Sequence, residues 1–214
     1  MTQDSTVSSA LLLSDSGPFV EKLQGFIQRP QQQRMAAAIE EVLLDGGSLV
    51  VEAGTGTGKT LAYLVPAIMT GMTIIVSTGT RNLQDQLFFN DIPLIRDALD
   101  IPFNASILKG RSNYLCPHRL ALSLKGEQLG VGISFDELDT IRAWSTGTTT
   151  GDISEITGIE ESSSIWPSVT STVDNCLGST CPKISECPVY QARARANEAD
   201  LIIVNHHLLF ADLL

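Results

Sequence analysis

Apolar residues along this chain switch between helical and strand-like spacing. From Pro18 they recur at Phe19, Val20, Leu23, Phe26 and Ile27, which predicts an amphipathic helix ended by Arg29-Pro30. The helical spacing returns over 31–44, at Met35, Ala38, Ile39, Val42 and Leu43, and Asp45-Gly46-Gly47 stops it. Short apolar runs at 48–52, 73–76, 105–108 and 201–204 read as buried strands. Helical stretches are expected at 59–70, with a kink at Pro66, at 81–89, and at 91–99 with a Pro93 start. Strand alternating with helix implies an α/β fold with a mainly parallel sheet and right-handed crossovers.

The texture changes after residue 109. Residues 110–190 are rich in Cys, Ser, Thr, Gly and Pro, and helical patterning resumes over 189–199. Residues 1–17 are polar around a short apolar patch and are expected to be loose. The chain therefore divides into a loose terminus 1–17, the first part of an α/β core at 18–109, an insertion at 110–190, and a return to the core at 191–214.

The run Leu49-Val50-Val51 leads into Ala53-Gly54-Thr55-Gly56-Thr57-Gly58-Lys59-Thr60, and a helical stretch follows. Strand, glycine-rich loop and helix form the setting of a phosphate-cradling P-loop. Glycines let backbone N–H groups turn onto a phosphate, and the helix N-terminus points its positive end there. Lys59 offers a charge to the β- and γ-phosphates of ATP, and Thr60 a hydroxyl to Mg²⁺. Ala53 stands where such a loop usually has its first glycine.

The 214 residues carry a net charge of −10, which argues weakly against a nucleic-acid binder. The charge is uneven, however. Residues 105–130 hold Lys109, Arg111, Arg119 and Lys125 against Glu127, so a local basic field survives. No apolar run approaches the ~18 residues of a membrane span, and no signal-peptide core is present, so a cytoplasmic location is expected.

All four cysteines fall in the insertion: Cys116, then Cys176, Cys181 and Cys187. Proline follows Cys116, Cys181 and Cys187 and stiffens the chain there. Four thiolates suit a [4Fe–4S] cluster or a tetrahedral zinc, and unligated core cysteines are a third reading. The loose spacing tilts toward a cluster, whose ligands are expected to replace a core that this segment lacks.

Further segments fit one pattern. Arg29-x-x-Gln32-x-x-Met35 precedes the loop, and Gln32 can offer a donor and an acceptor to an adenine edge. It is equally a polar residue in the first turn of a helix. Val76-Ser77-Thr78-Gly79-Thr80 with Leu83-Gln84-Asp85-Gln86-Leu87 places hydroxyls and amides at a strand end and a helix start, where they suit phosphate or simply cap the helix. Lys109-Gly110-Arg111-Ser112-Asn113-Tyr114-Leu115-Cys116 leads to the first cysteine, and Val204-Asn205-His206-His207 closes the last strand.

Together these segments resemble the iron–sulfur superfamily 2 DNA helicases of the DinG/XPD type, nearest the bacterial YoaA branch, over residues 17–214. The resemblance implies a RecA-like P-loop NTPase core with an inserted iron–sulfur domain. It implies ATP, Mg²⁺ and a [4Fe–4S] cluster held by Cys116, Cys176, Cys181 and Cys187. It gives Gln32 an adenine contact and Thr78, Thr80 and Gln84 a DNA-backbone contact. Arg111 is expected on a phosphate, and Tyr114 either on a base or on the cluster shell. The implied function is ATP-dependent unwinding of single-stranded or forked DNA, 5′→3′, in repair. No strand here ends in the Asp-Glu pair that Mg²⁺ and the attacking water require. The chain is therefore expected to be the N-terminal part of such a helicase and inactive alone. A non-catalytic nucleotide- and DNA-binding module and a zinc-bearing P-loop ATPase acting on RNA remain as alternatives, and the pattern names no protein partner.

Overall fold

The computed structural model describes residues 8–127 and 134–213. In chain order the first elements are α1 (Ser9–Leu12), α2 (Phe19–Lys22), α3 (Pro30–Asp45), α4 (Lys59–Met69) and β1 (Ile74–Thr78). Then come α5 (Arg81–Gln86), α6 (Ile92–Leu99), β2 (Ala105–Leu108), α7 (Pro117–Leu124) and α8 (Phe135–Ser145). The last are α9 (Trp166–Val169), α10 (Pro188–Asn197), β3 (Leu201–Asn205) and α11 (His206–Leu213). The chain separates into two compact units, one running to Ile107 and taking up Glu198–Leu213, the other Leu108–Asn197.

In the first unit three strands form a sheet in the order β1-β3-β2, with β1 and β3 parallel and Ile74 opposite Leu201. Residues of α4 (Leu61, Leu64, Val65) pack with Leu201 and Ile203 of β3 and with Leu87, Ile92 and Ile95. Leu13 and Phe19 are fully buried in the same core. The backbone N–H and hydroxyl of Ser9 both donate to the Glu40 carboxylate, which ties α1 to α3. Residues 9–17 are thus docked rather than loose, while residues 1–7 of the expected loose terminus lie outside the described residues.

Three elements differ from the sequence reading. The helix expected over 19–27 is one turn, because Leu23 turns extended and Gly25 adopts φ 77°. The run 48–52 is not part of the sheet: no described strand offers it a ladder, and Val50 is 97% exposed. The two helices expected over 81–99 are continuous, joined by a π-turn at Leu87–Asp91. Pro93 has no N–H and its ring crowds the carbonyl four residues back, and a widened turn relieves both.

The second unit has a core of its own, in which Leu115, Leu120, Leu138, Ile141, Ile165, Trp166 and Val169 are buried together. The expectation that cysteine ligands would replace a missing core is therefore wrong. The apolar positions lie on short helices spaced far apart in sequence, so no single window reveals them.

Candidate functional site

The glycine-rich loop follows a run without regular structure and ends at the N-terminus of α4, with Gly58 at the helix start in left-handed geometry, φ 79°. A Cβ on Gly58 would collide with the Gln32 side-chain amide. Gln32 Nε2 donates to the Gly58 carbonyl at 2.9 Å. Gln32 is 2% exposed, and its Oε1 has no partner among the described residues. The first turn of α3 thus buttresses the loop, and Gln32 keeps a buried acceptor free beside it. Thr57 Oγ1 donates to Gly54 O at 3.0 Å. Lys59 Nζ curls back onto Ala53 O (2.9 Å) and Gly54 O (2.7 Å), so its ammonium already lies within the loop. Thr60 is half-buried and hydrogen-bonds Tyr63, whose phenol is pushed up chiefly by burial. Thr55 and Gly56 are exposed at the loop tip. An open cavity of about 490 Å³ borders the loop, walled by Arg34, Met35 and Ala38 of α3 and by Ala53, Gly54 and Thr57.

At the end of β1, Thr78 is buried and its hydroxyl donates to Thr80 O at 3.1 Å. Thr80 is exposed and caps α5, its Oγ1 accepting from Leu83 N–H. Gln84 is fully buried, with Nε2 directed at Ile203 O (3.4 Å). Of Thr78, Thr80 and Gln84, three of the five expected DNA contacts, only Thr80 faces solvent. Thr78 bonds the loop carbonyl of Thr80 and Gln84 points at Ile203 O in mid-β3 instead, because one turn of α5 turns Gln84 inward onto β3. Ser77 Oγ and His206 Nδ1 lie 2.7 Å apart, linking the ends of β1 and β3.

In the second unit Cys116, Cys176, Cys181 and Cys187 all line one cavity of about 620 Å³. All four are free thiols and half-buried. Among the described residues no three ligating side chains converge on a single point as an ion would require. Burial pushes the Cys116 thiol up, opposed by the backbone N–H groups of Arg119 and His118, while Cys187 and Cys181 add to the rise. Arg111 lines the same cavity and is half-buried. Tyr114 is 3% exposed and its hydroxyl accepts from Lys109 N–H at 3.1 Å, which leaves no ring face for a base. The base-stacking expectation for Tyr114 is corrected by this burial, and Tyr114 is not among the residues that line the cysteine cavity.

Sequence reasoning missed the ion pair between Lys109 and Asp152, 2.6 Å apart and almost wholly buried. By sequence Lys109 is one of the four cations of the local basic field over 105–130. Nothing in the local sequence distinguishes a buried lysine from an exposed one, because its partner lies 43 residues away.

Residues 29–114 match the DEAD/DEAH box helicase family. The chain is 47% identical over 95% of its length to the ATP-dependent DNA helicase YoaA of Haemophilus influenzae, covering 32% of that protein. It is 48% identical over 92% of its length to the Escherichia coli protein of the same name, covering 31% of it. It is 36% identical over 88% of its length to the ATP-dependent helicase DinG of Mycobacterium tuberculosis, covering 32%. The chain thus spans about a third of the length of the relatives it matches. By sequence the chain is similar to the YoaA and DinG helicases over most of its length and matches the DEAD/DEAH box helicase family over residues 29–114.

Proposed function

We propose that the protein carrying this chain is an ATP-dependent DNA helicase that couples nucleotide hydrolysis to strand separation at single-stranded or forked DNA, 5′→3′, in repair. The observation that carries this reading is identity of 47–48% to proteins named ATP-dependent DNA helicase, over more than nine-tenths of the chain. The loop geometry supports it. Gly54, Gly56 and Gly58 shape a pocket for the phosphates of ATP. Lys59 leaves its two carbonyl partners for the β- and γ-oxygens, and Thr60 turns to Mg²⁺. Gln32 braces Gly58 and presents its spare acceptor toward the base side.

The donor set of the second unit fits a [4Fe–4S] cluster on Cys116, Cys176, Cys181 and Cys187, with residues 110–190 as the iron–sulfur domain inserted in a RecA-like core. When bound, the cluster would cross-link the segments that carry the four cysteines. Arg111 offers its guanidinium to a DNA phosphate at the cavity rim, and Thr80 does the same at the end of β1.

The test is strand displacement by the purified protein carrying this chain, on forked duplexes with either a 5′ or a 3′ tail. Displacement that needs ATP, Mg²⁺ and the 5′ tail is expected. Displacement independent of ATP, or absent from every DNA fork while RNA is unwound, contradicts the assignment.

A further inference from the structure

Residues 114–116 run extended between two other segments of their unit. On one side Leu115 N–H donates to Gly151 O (2.8 Å), and Tyr114 faces Asp152 in an antiparallel bridge. On the other side Cys116 N–H donates to Val169 O (2.7 Å), and Leu115 faces Thr170. The Asp152 carboxylate divides its work. One oxygen takes Lys109 Nζ at 2.6 Å, and the other accepts from Ser154 N–H (3.0 Å) and Ser154 Oγ (2.8 Å). The Lys109 backbone N–H in turn holds the Tyr114 hydroxyl. Gly151 adopts φ 67°, and a Cβ there would collide with the ring of Pro188, the residue after Cys187. Segment 150–152 is therefore wedged between the strand that ends in Cys116 and the turn that follows Cys187.

We propose that the buried Lys109–Asp152 pair is a positioning device that fixes Cys116 in register with Cys187, and so sets the fourth corner of the cluster site. This rests on the cluster reading above. Neither residue touches the cavity: the cysteine cavity is lined by other side chains. Their effect passes through the backbone bonds of Leu115 and Cys116. A desolvated lysine is costly unless paired, so the pair admits one arrangement of segments 109–116 and 151–154 and disfavours slipped ones.

The test compares anaerobically purified wild type with Lys109→Met, Lys109→Arg and the double variant Lys109→Met/Asp152→Leu. Three readouts are taken: iron per chain, the electron paramagnetic resonance spectrum, and the iodoacetamide alkylation rate of each cysteine after iron is removed by chelation. Circular dichroism checks folding. In Lys109→Met, iron is expected to fall from about four to about three per chain, with the integer-spin resonance of a reduced three-iron cluster that has lost one ferrous ion and no electron. Cys116 alone should alkylate about tenfold faster relative to Cys181. Lys109→Arg should restore the wild-type pattern. The double variant leaves no unpaired charge and should fold, yet still free Cys116. It decides the matter if Lys109→Met unfolds.

Wild-type iron content, spectrum and Cys116 rate in Lys109→Met overturn the proposal. So does a double variant with wild-type behaviour, which would reduce the pair to a space-filler. Wild-type protein without iron sinks the cluster reading itself, and the positioning claim is then decided by the Cys116 alkylation rates alone.

Discussion

Gly58 is held at φ 79° with the Gln32 amide against it, so two demands meet on one atom that is absent. Gly58→Ala should cost about 1–2 kcal/mol from left-handed backbone alone, and displacement of Gln32 adds to it. A lowered melting temperature together with lost ATP binding by titration calorimetry is the expected result; unchanged binding would separate the loop from the nucleotide. Gln32→Ala is expected to be milder, weakening binding several-fold while the fold survives. The loop residues were legible in the sequence because their spacing is local: Lys59 and Thr60 follow Gly58 in any fold that uses them. Tyr114 and Gln84 were not, because whether an aromatic ring or an amide faces solvent is decided by what packs over it. In both cases the covering group is remote, Asp152 for the Tyr114 segment and Ile203 for Gln84.

Among the elements, the three strands β1, β2 and β3 were legible as apolar runs, as were α3, α4 and α10 from period and stop signals. The run at 48–52 has the same composition but gains no ladder here, and composition alone does not supply the partner that a strand needs. The π-turn at Leu87–Asp91 gives a prediction of its own. Burial raises the Asp91 carboxyl above its ordinary value, with a bond from Gln86 opposing the shift. A carboxyl whose folded pKa is raised is penalised when ionised. Its contribution to stability is therefore lost as pH rises through the unfolded and then the folded value, and recovered on acidification. Asp91→Asn should raise the melting temperature at pH 7 and leave it nearly unchanged near pH 3. A drop at pH 7 would mean that the charge itself is used.

For the whole molecule, the apolar cluster of Leu138, Ile141, Ile165 and Trp166 makes the second unit's fold independent of its cysteines in part. Cys181→Ser should abolish the cluster and loosen residues 171–187, while α8 and α9 keep their amide-exchange protection. Uniform loss of protection across Leu108–Asn197 would show that ligation, not this core, holds the unit. Ile141→Ala, by contrast, removes a fully buried side chain and should cost about 2–4 kcal/mol. The separation into units also means that the nucleotide loop and the cysteine cavity can be disabled one at a time. The account rests most on Lys59, whose ammonium already sits within the loop on Ala53 and Gly54. The decisive measurement is DNA-stimulated ATP hydrolysis by the protein carrying this chain, wild type beside Lys59→Ala, with iron content read on the same samples. The account expects stimulated turnover in the wild type and a loss of about hundredfold or more in the variant, at unchanged iron. Equal turnover in the two proteins would contradict it.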